Sequence, residues 1–213
     1  MKRFVSTLLI LSISALTLLT PRAPAQSKPE ASPDDYKVYE AVLDLLDRVP
    51  KMDPHITISD VTLNSKCGED AYPSPLANGC TFLWIAPDTP ADVKELLRQD
   101  WADLDDSTWT NFVANNAVSA RLREPIATRL QHKLVGDSDP LSQDSASPDL
   151  AIFLSRVGFN QNKTEAIVYV LIFSNMANVS TAGDYFLFRL DKQEHWKAQG
   201  RVTYAKTGKD QPP

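Results

Sequence analysis

Few residues in this 213-residue chain have the types and spacing to do chemistry. Cys67 and Cys80 come first, as the only cysteines. A redox pair would be spaced Cys-x-x-Cys, and zinc would need two further ligands nearby. Neither condition is met, and His55, His132 and His195 are scattered without metal-ligand spacing. A structural disulfide is the expectation. It would close a loop of about 14 residues, worth roughly 3 kcal/mol in the chain-entropy picture. Gly68, Pro73, Pro75, Asn78 and Gly79 are turn formers that place this loop at the surface. The acidic cluster Asp100, Asp103, Asp105 and Asp106 lacks the alternating ligands, Gly turn and terminal Glu of a calcium loop. It reads as a helix end and the cap of the next helix. No metal and no cofactor is expected.

Gly136-Asp137-Ser138 has the letters of one esterase nucleophile block, whose Ser is activated by a distant Asp-x-x-His. That block follows a strand, whereas here a helix is expected before it. The nearest partner match, Asp191 to His195, has one residue too many. The Gly-x-Ser-x-Gly elbow is absent, and seven glycines are too few for phosphate-cradling loops. No catalytic residue is therefore assigned. Arg156 stands out as a charge inside an apolar stretch between Leu154 and Phe159, where a structural ion pair or an outward-facing charge is expected. The loop from Ser174 to Asp184 gathers hydrogen-bonding groups at a sheet end, the kind of place where function concentrates. Arg156, Asn175, Asn178, Asp184 and Tyr185 are thus the candidate ligand surface. Asn162-Lys-Thr and Asn178-Val-Ser are glycosylation sequons.

Two helices announce themselves by their caps. Ser32-Pro33 with Asp35, and Thr89-Pro90 with Asp92, each supply an N-cap, a proline at the first helical position and an acid at the third. Tyr36, Tyr39, Val42 or Leu43, Leu46 and Val49 form the apolar face of the first helix, which Pro50 ends. Val93, Leu96, Leu97, Trp101 and Leu104 form that of the second. A third helix starts near Asp106 and carries Trp109, Phe112 and Val113, with Asn115-Asn116 weakening its end. Ile126, Leu130 and Leu134, four apart, predict a fourth over 125–135. Ile56 to Leu63 and Thr81 to Ala86 read as short strands. The run Ala166 to Phe173 reads as a strand covered on both faces. The last strand, from Trp196 to Tyr204, alternates, with Trp196, Ala198, Gly200, Val202 and Tyr204 expected on one face.

At the N-terminus, Met1-Lys2-Arg3, the apolar Phe4 to Leu19 and Ala23-Pro24-Ala25 have the order of a secretory signal peptide cleaved after Ala25. Cleavage removes three of the 22 basic residues (Lys2, Arg3 and Arg22) and none of the 27 acidic ones, leaving a formal charge of −8. An acidic chain without a basic stripe is a poor partner for nucleic acid. No later stretch is long and apolar enough to span a membrane, so an exported, soluble, periplasmic or extracellular protein is expected. Residues 26–33 read as a linker, 34–208 as one domain and 209–213 as a polar tail.

The segment Leu154-Ser155-Arg156-Val157-Gly158-Phe159-Asn160, then Glu165 to Val170, Gly183-Asp184-Tyr185, Lys192 and Trp196-Lys197, resembles uncharacterised secreted proteins of bacteria, notably soil acidobacteria. Tyr36, Val38-Tyr39 and Val42 are similar to the start of the same proteins. Some relatives have Trp in place of Tyr204, or a Gly- or Cys-rich loop in place of 175–181. The resemblance implies a bacterial exported domain and lends no reaction, cofactor or catalytic residue. The fold class expected is α+β, with N-terminal helices packed on a mostly antiparallel sheet that ends in a β-meander. The function expected is non-catalytic binding of a small molecule or an envelope protein. The alternative is a small periplasmic hydrolase or isomerase with a pocket between helices and sheet.

Overall fold

A computed structural model describes residues 28–47, 56–65, 89–123, 125–136, 150–174 and 180–207. The expected signal peptide, Cys67 and Cys80, the strand expected over 81–86, Asp137 and Ser138, and Asn175 and Asn178 lie outside these residues. Among the described residues, three helices form where the capping signals predict. The first, α1 (Pro33–Leu46), opens with a reciprocal capping box: Ser32 Oγ accepts from the Asp35 amide, and the Asp35 carboxylate accepts from the Ser32 amide. In α2 (Pro90–Asp100), Thr89 and Asp92 repeat the device. Asp105 caps α3 (Asp106–Asn115), its carboxylate accepting from the Ser107 amide. Each cap satisfies amides that would otherwise lack a partner at a helix start.

Among the described residues, seven strands form one mixed sheet: β1 (Ile56–Ser59), β2 (His132–Val135), β3 (Leu150–Leu154), β4 (Gly158–Phe159), β5 (Glu165–Ser174), β6 (Ser180–Leu190) and β7 (Trp196–Thr207). The order is β2-β1-β3-β5-β6-β7, with β4 beside β5. β1 pairs in parallel with β2 and β3, and every other pairing is antiparallel. The class is therefore α+β with a mostly antiparallel sheet and a C-terminal meander. Central β5 is covered on both faces, as its uninterrupted apolar run requires. Val168 and Val170, with Phe186 and Phe188, pack beneath Val38, Tyr39, Val42 and Leu43 of α1. Ile167, Tyr169 and Leu171, with Tyr185 and Leu187, pack against Val93 and Leu97 of α2 and Trp109 and Phe112 of α3. Among the described residues, no helix is long and apolar enough to cross a membrane.

Two expectations need correction. The helix predicted over 125–135 is a bend followed by strand β2. Ile126 and Leu130 are buried, but the bend around Thr128 brings them into the core and Leu134 pairs with Ile58. Four-residue spacing fits this path as well as a helix, and pairing to β1 decides between them. The alternation expected along β7 is broken by bulges. Phe188 pairs with Ala198 but Leu187 with Gly200, so Gln199 is the extra residue. Trp196 therefore packs toward α1, while Val202 and Tyr204 pack toward α2 and α3. The linker expected over 26–33 is docked in its second half, since Ala31 donates to the Arg121 carbonyl and Arg121 to that of Pro29.

Gly158 allows the closest approach of helix to sheet. A Cβ there would lie 2.6 Å from both the amide nitrogen and the Cα of Phe112, so the obstacle is helix backbone. Gly158→Ala should therefore destabilise the protein by about 3 kcal/mol, outweighing the ~1 kcal/mol that a more restricted unfolded chain returns. Urea denaturation measures the difference, and an unchanged or raised midpoint would show that α3 does not rest on β4.

Candidate functional site

The candidate site is built on a register step. β3 pairs with β5 as Leu154 with Val170, and β4 pairs with it as Gly158 with Ile167. Ser155 continues the ladder by donating from its amide to the Tyr169 carbonyl, while its hydroxyl accepts from the Tyr169 amide. Arg156 and Val157 are then left together opposite Val168, which is a β-bulge. Bulges re-aim side chains and leave backbone groups outside the ladder. Here the re-aimed side chain is Arg156, and it leaves an apolar strand for a polar cleft.

The displaced backbone finds its partners on α3. Asn116, fully buried, donates to the Arg156 carbonyl (2.9 Å) and accepts from the Arg156 amide (2.8 Å), as a paired strand would. Asn115 donates to the Val157 carbonyl (2.8 Å), and Asn111 accepts from the Phe159 amide (2.8 Å). From the far side, Tyr39 of α1 donates its hydroxyl to the Ser155 carbonyl (2.9 Å). A buried carboxylate fixes the start of α3. Glu165 Oε1 accepts from the Asp105 amide and the Thr108 hydroxyl, both at 2.9 Å. Its Oε2 accepts from Arg189 Nε (3.1 Å) and Nη2 (3.0 Å), and Arg189 Nη1 reaches Asp103 at 2.8 Å. A buried charge with this many charge-assisted bonds is tolerable, and removing a partner from such a site is costly.

Between α1, α3 and the β4–β5 turn lies an open cleft of about 360 Å³, whose lining includes Asp35, Asn111, Asn115, Arg156, Phe159 and Lys163. Arg156 is half-buried. Its Nη1 makes one long bond to the Asn115 carbonyl (3.5 Å), and its buried Nε has no acceptor among the described residues. Asp35 is almost fully buried on the α1 side. Burial raises its pKa, opposed by its bonds to Ser32, the Arg156 charge and the Val157 amide. Lys163 closes the rim by pairing with Asp34 at 2.6 Å, which holds the Asp34 carboxyl below its usual range. The bonds of Asn111 and Asn115 use Oδ1 of the first and Nδ2 of the second, leaving Asn111 Nδ2 and Asn115 Oδ1 uncommitted by them. The cleft thus offers guanidinium and amide donors, a carboxylate, and the partly buried ring of Phe159. A larger groove of about 540 Å³ lies between α1 and the β6–β7 turn, over Phe188 and Trp196. On its rim, Asp44 accepts from Thr128 and Lys197 pairs with Asp191.

Of the surface expected from sequence, Asn175 and Asn178 lie outside the described residues, and the other three candidates occupy different places. Asp184 is fully buried, with Oδ1 accepting from Thr203 at 2.7 Å and Oδ2 lying 2.8 Å from Arg201 Nη2. Its neighbour Tyr185 points to the opposite face and packs 4.8 Å from the Tyr169 ring and 5.9 Å from that of Phe112. Of the described candidates Arg156, Asp184 and Tyr185, Arg156 lines a cleft. Asp35, Asn111, Asn115, Asn116 and Glu165 are site residues that sequence reasoning missed, because each looks like a cap, a weak helix end or a strand end. Asp191 accepts from the amides of Gln193 and His195 in the β6–β7 turn, so its carboxylate builds that turn. Gly136, however, follows strand β2 and not a helix, which removes one of the grounds that set the esterase-like block aside. Among the described residues, no cluster of His, Cys, Asp and Glu could hold a metal.

If the asparagines hold the bulge, Asn116→Ala should cost about 1–3 kcal/mol, since the Arg156 amide loses its acceptor while the Arg156 carbonyl keeps the Ser155 hydroxyl at 3.0 Å. Thermal or urea unfolding would read this, and a loss below about 0.5 kcal/mol would mean that other partners suffice. No protein-family model matches this chain, and no curated protein and no solved structure matches it either.

Proposed function

We propose that this chain is an exported, non-catalytic binding domain that holds a small anionic ligand in the cleft beside Arg156. The leader-like N-terminus supports export. The observation that carries the binding role is the guanidinium itself. A half-buried arginine in an open cleft, with one long hydrogen bond and a buried Nε lacking an acceptor, is short of the partners that such a group normally acquires. A carboxylate or another oxyanion supplies them with bidentate geometry. The volume sits at the small end of ligand clefts.

Asp35 favours one alternative. A buried carboxyl with a raised pKa, beside an arginine and within reach of a cleft, is the pairing a small isomerase or hydrolase would use for proton transfer. Its bond to the Ser32 amide gives it a structural task already, and that is why binding is the preferred reading.

The test is calorimetric titration of the mature protein, starting at Gln26, with a panel of small carboxylates, phosphate and sulfate. At least one anion should bind, and Arg156→Met should weaken it about ten-fold or more, with the fold intact by circular dichroism. The backbone of residue 156 is held by Asn116, so the side chain can be changed without undoing the bulge. Binding that is indifferent to Arg156→Met, or no binding by any anion, would overturn the assignment. Turnover of a bound compound that Asp35→Asn abolishes would replace it with the enzymatic reading.

A further inference from the structure

We infer that the cleft is selective for small zwitterions, the class of free α-amino acids, with the ligand carboxylate on Arg156 and its ammonium group on Asp35. This rests on the anion-binding reading above and adds a second pole to it. The two side chains line the same cleft, yet no ion pair within 4.0 Å joins them. Each feels the other's charge, and each is bonded elsewhere: Asp35 to the Ser32 amide, Arg156 to the Asn115 carbonyl. An arginine and an aspartate that share a cleft without closing on each other leave a place for a molecule carrying both opposite charges. Such a ligand restores to Arg156 an acceptor and to Asp35 a cation, and it adds no net charge to the site.

A simple anion would satisfy only half of this. It would meet Arg156 favourably and the nearly buried Asp35 unfavourably, since like charges at short range repel more strongly away from water. The second cation of the cleft, Lys163, does not change the balance, because Asp34 already holds it at the rim. The remaining lining suits the rest of an amino acid. Asn111 and Asn115 offer uncommitted amide groups near the α-carbon substituents, and the Phe159 ring offers an apolar wall of limited size. A small or medium side chain fits such a place better than a large one.

The experiment is titration of the mature protein with alanine, serine and leucine, each compared with its N-acetyl derivative, its amide, and succinate. The zwitterions should bind at least ten-fold more tightly than forms with either end blocked. Asp35→Asn keeps an acceptor for the Ser32 amide and so leaves α1 capped, and it should remove the preference for the free amine while N-acetylalanine binds no worse. Arg156→Met should weaken every ligand that has a free carboxylate. If N-acetylalanine or succinate binds as tightly as alanine and still depends on Arg156, the zwitterion inference falls and the anion site stands. If no compound binds, or binding ignores Arg156→Met, both fall. A thermal melt of each variant guards against misfolding, and alanine-induced stabilisation of Asp35→Asn equal to that of the unmodified protein would also overturn the inference.

Discussion

A strand that carries one residue too many for its partner has to find hydrogen bonds for the surplus backbone elsewhere. The β3–β4 segment faces that requirement opposite the fully buried Val168. Buried amides and carbonyls are almost always paired, and each one left orphaned costs on the order of 1–3 kcal/mol. The answer here is a helix end. Asn111, Asn115 and Asn116 of α3 lay side-chain amides along the bulge and serve as a substitute strand. Most of the local architecture follows from that arrangement.

For the asparagines to reach, α3 must lie almost in contact with the sheet, and Gly158 makes that approach possible. The helix must also be fixed along its axis. Glu165, at the start of β5, takes hold of the first turn of α3 through the Asp105 amide and the Thr108 hydroxyl, and Arg189 of β6 balances its charge. The helix is therefore held at both ends, by a carboxylate at its N-terminus and by the bulge at its C-terminus. Between them, Trp109 and Phe112 stack at 5.4 Å over the Tyr169 and Tyr185 layer. The same geometry turns Arg156 out of the sheet toward α1 and Asp35. The proposed ligand cleft is thus a consequence of how the fold solves a hydrogen-bonding problem.

This explains what could and could not be read along the chain. The caps at Ser32 and Thr89 were legible because every participant lies within four residues. The doubly covered β5 was legible because its apolar run has a single structural meaning. The bulge was not, since its partners on α3 sit some 40 residues away and Asn115-Asn116 looks locally like a weak helix end. Strand β2 was misread because Ile126, Leu130 and Leu134 suit a helix by period, and only the parallel pairing with β1 excludes it. The face change along β7 depends on Gln199, a residue whose type carries no bulge signal. Arg156 stands out locally as a charge inside an apolar stretch. Asp184, picked out alongside it, is a buried partner of Thr203 and Arg201. Of a dissonant residue, sequence reveals the dissonance, and the long-range partners decide its role.

The central claim is that side chains of α3 replace the missing strand at the bulge, and amide hydrogen exchange reads it residue by residue. The Arg156 and Phe159 amides, bonded only to Asn116 Oδ1 and Asn111 Oδ1 at 2.8 Å each, should exchange as slowly as the amides of central β5. In Asn116→Ala the protection of Arg156 should collapse toward that of a surface loop, while the Tyr169 amide, held by the Ser155 hydroxyl, keeps its own. Fast exchange at Arg156 in the unmodified protein, or protection indifferent to Asn116, would contradict the account.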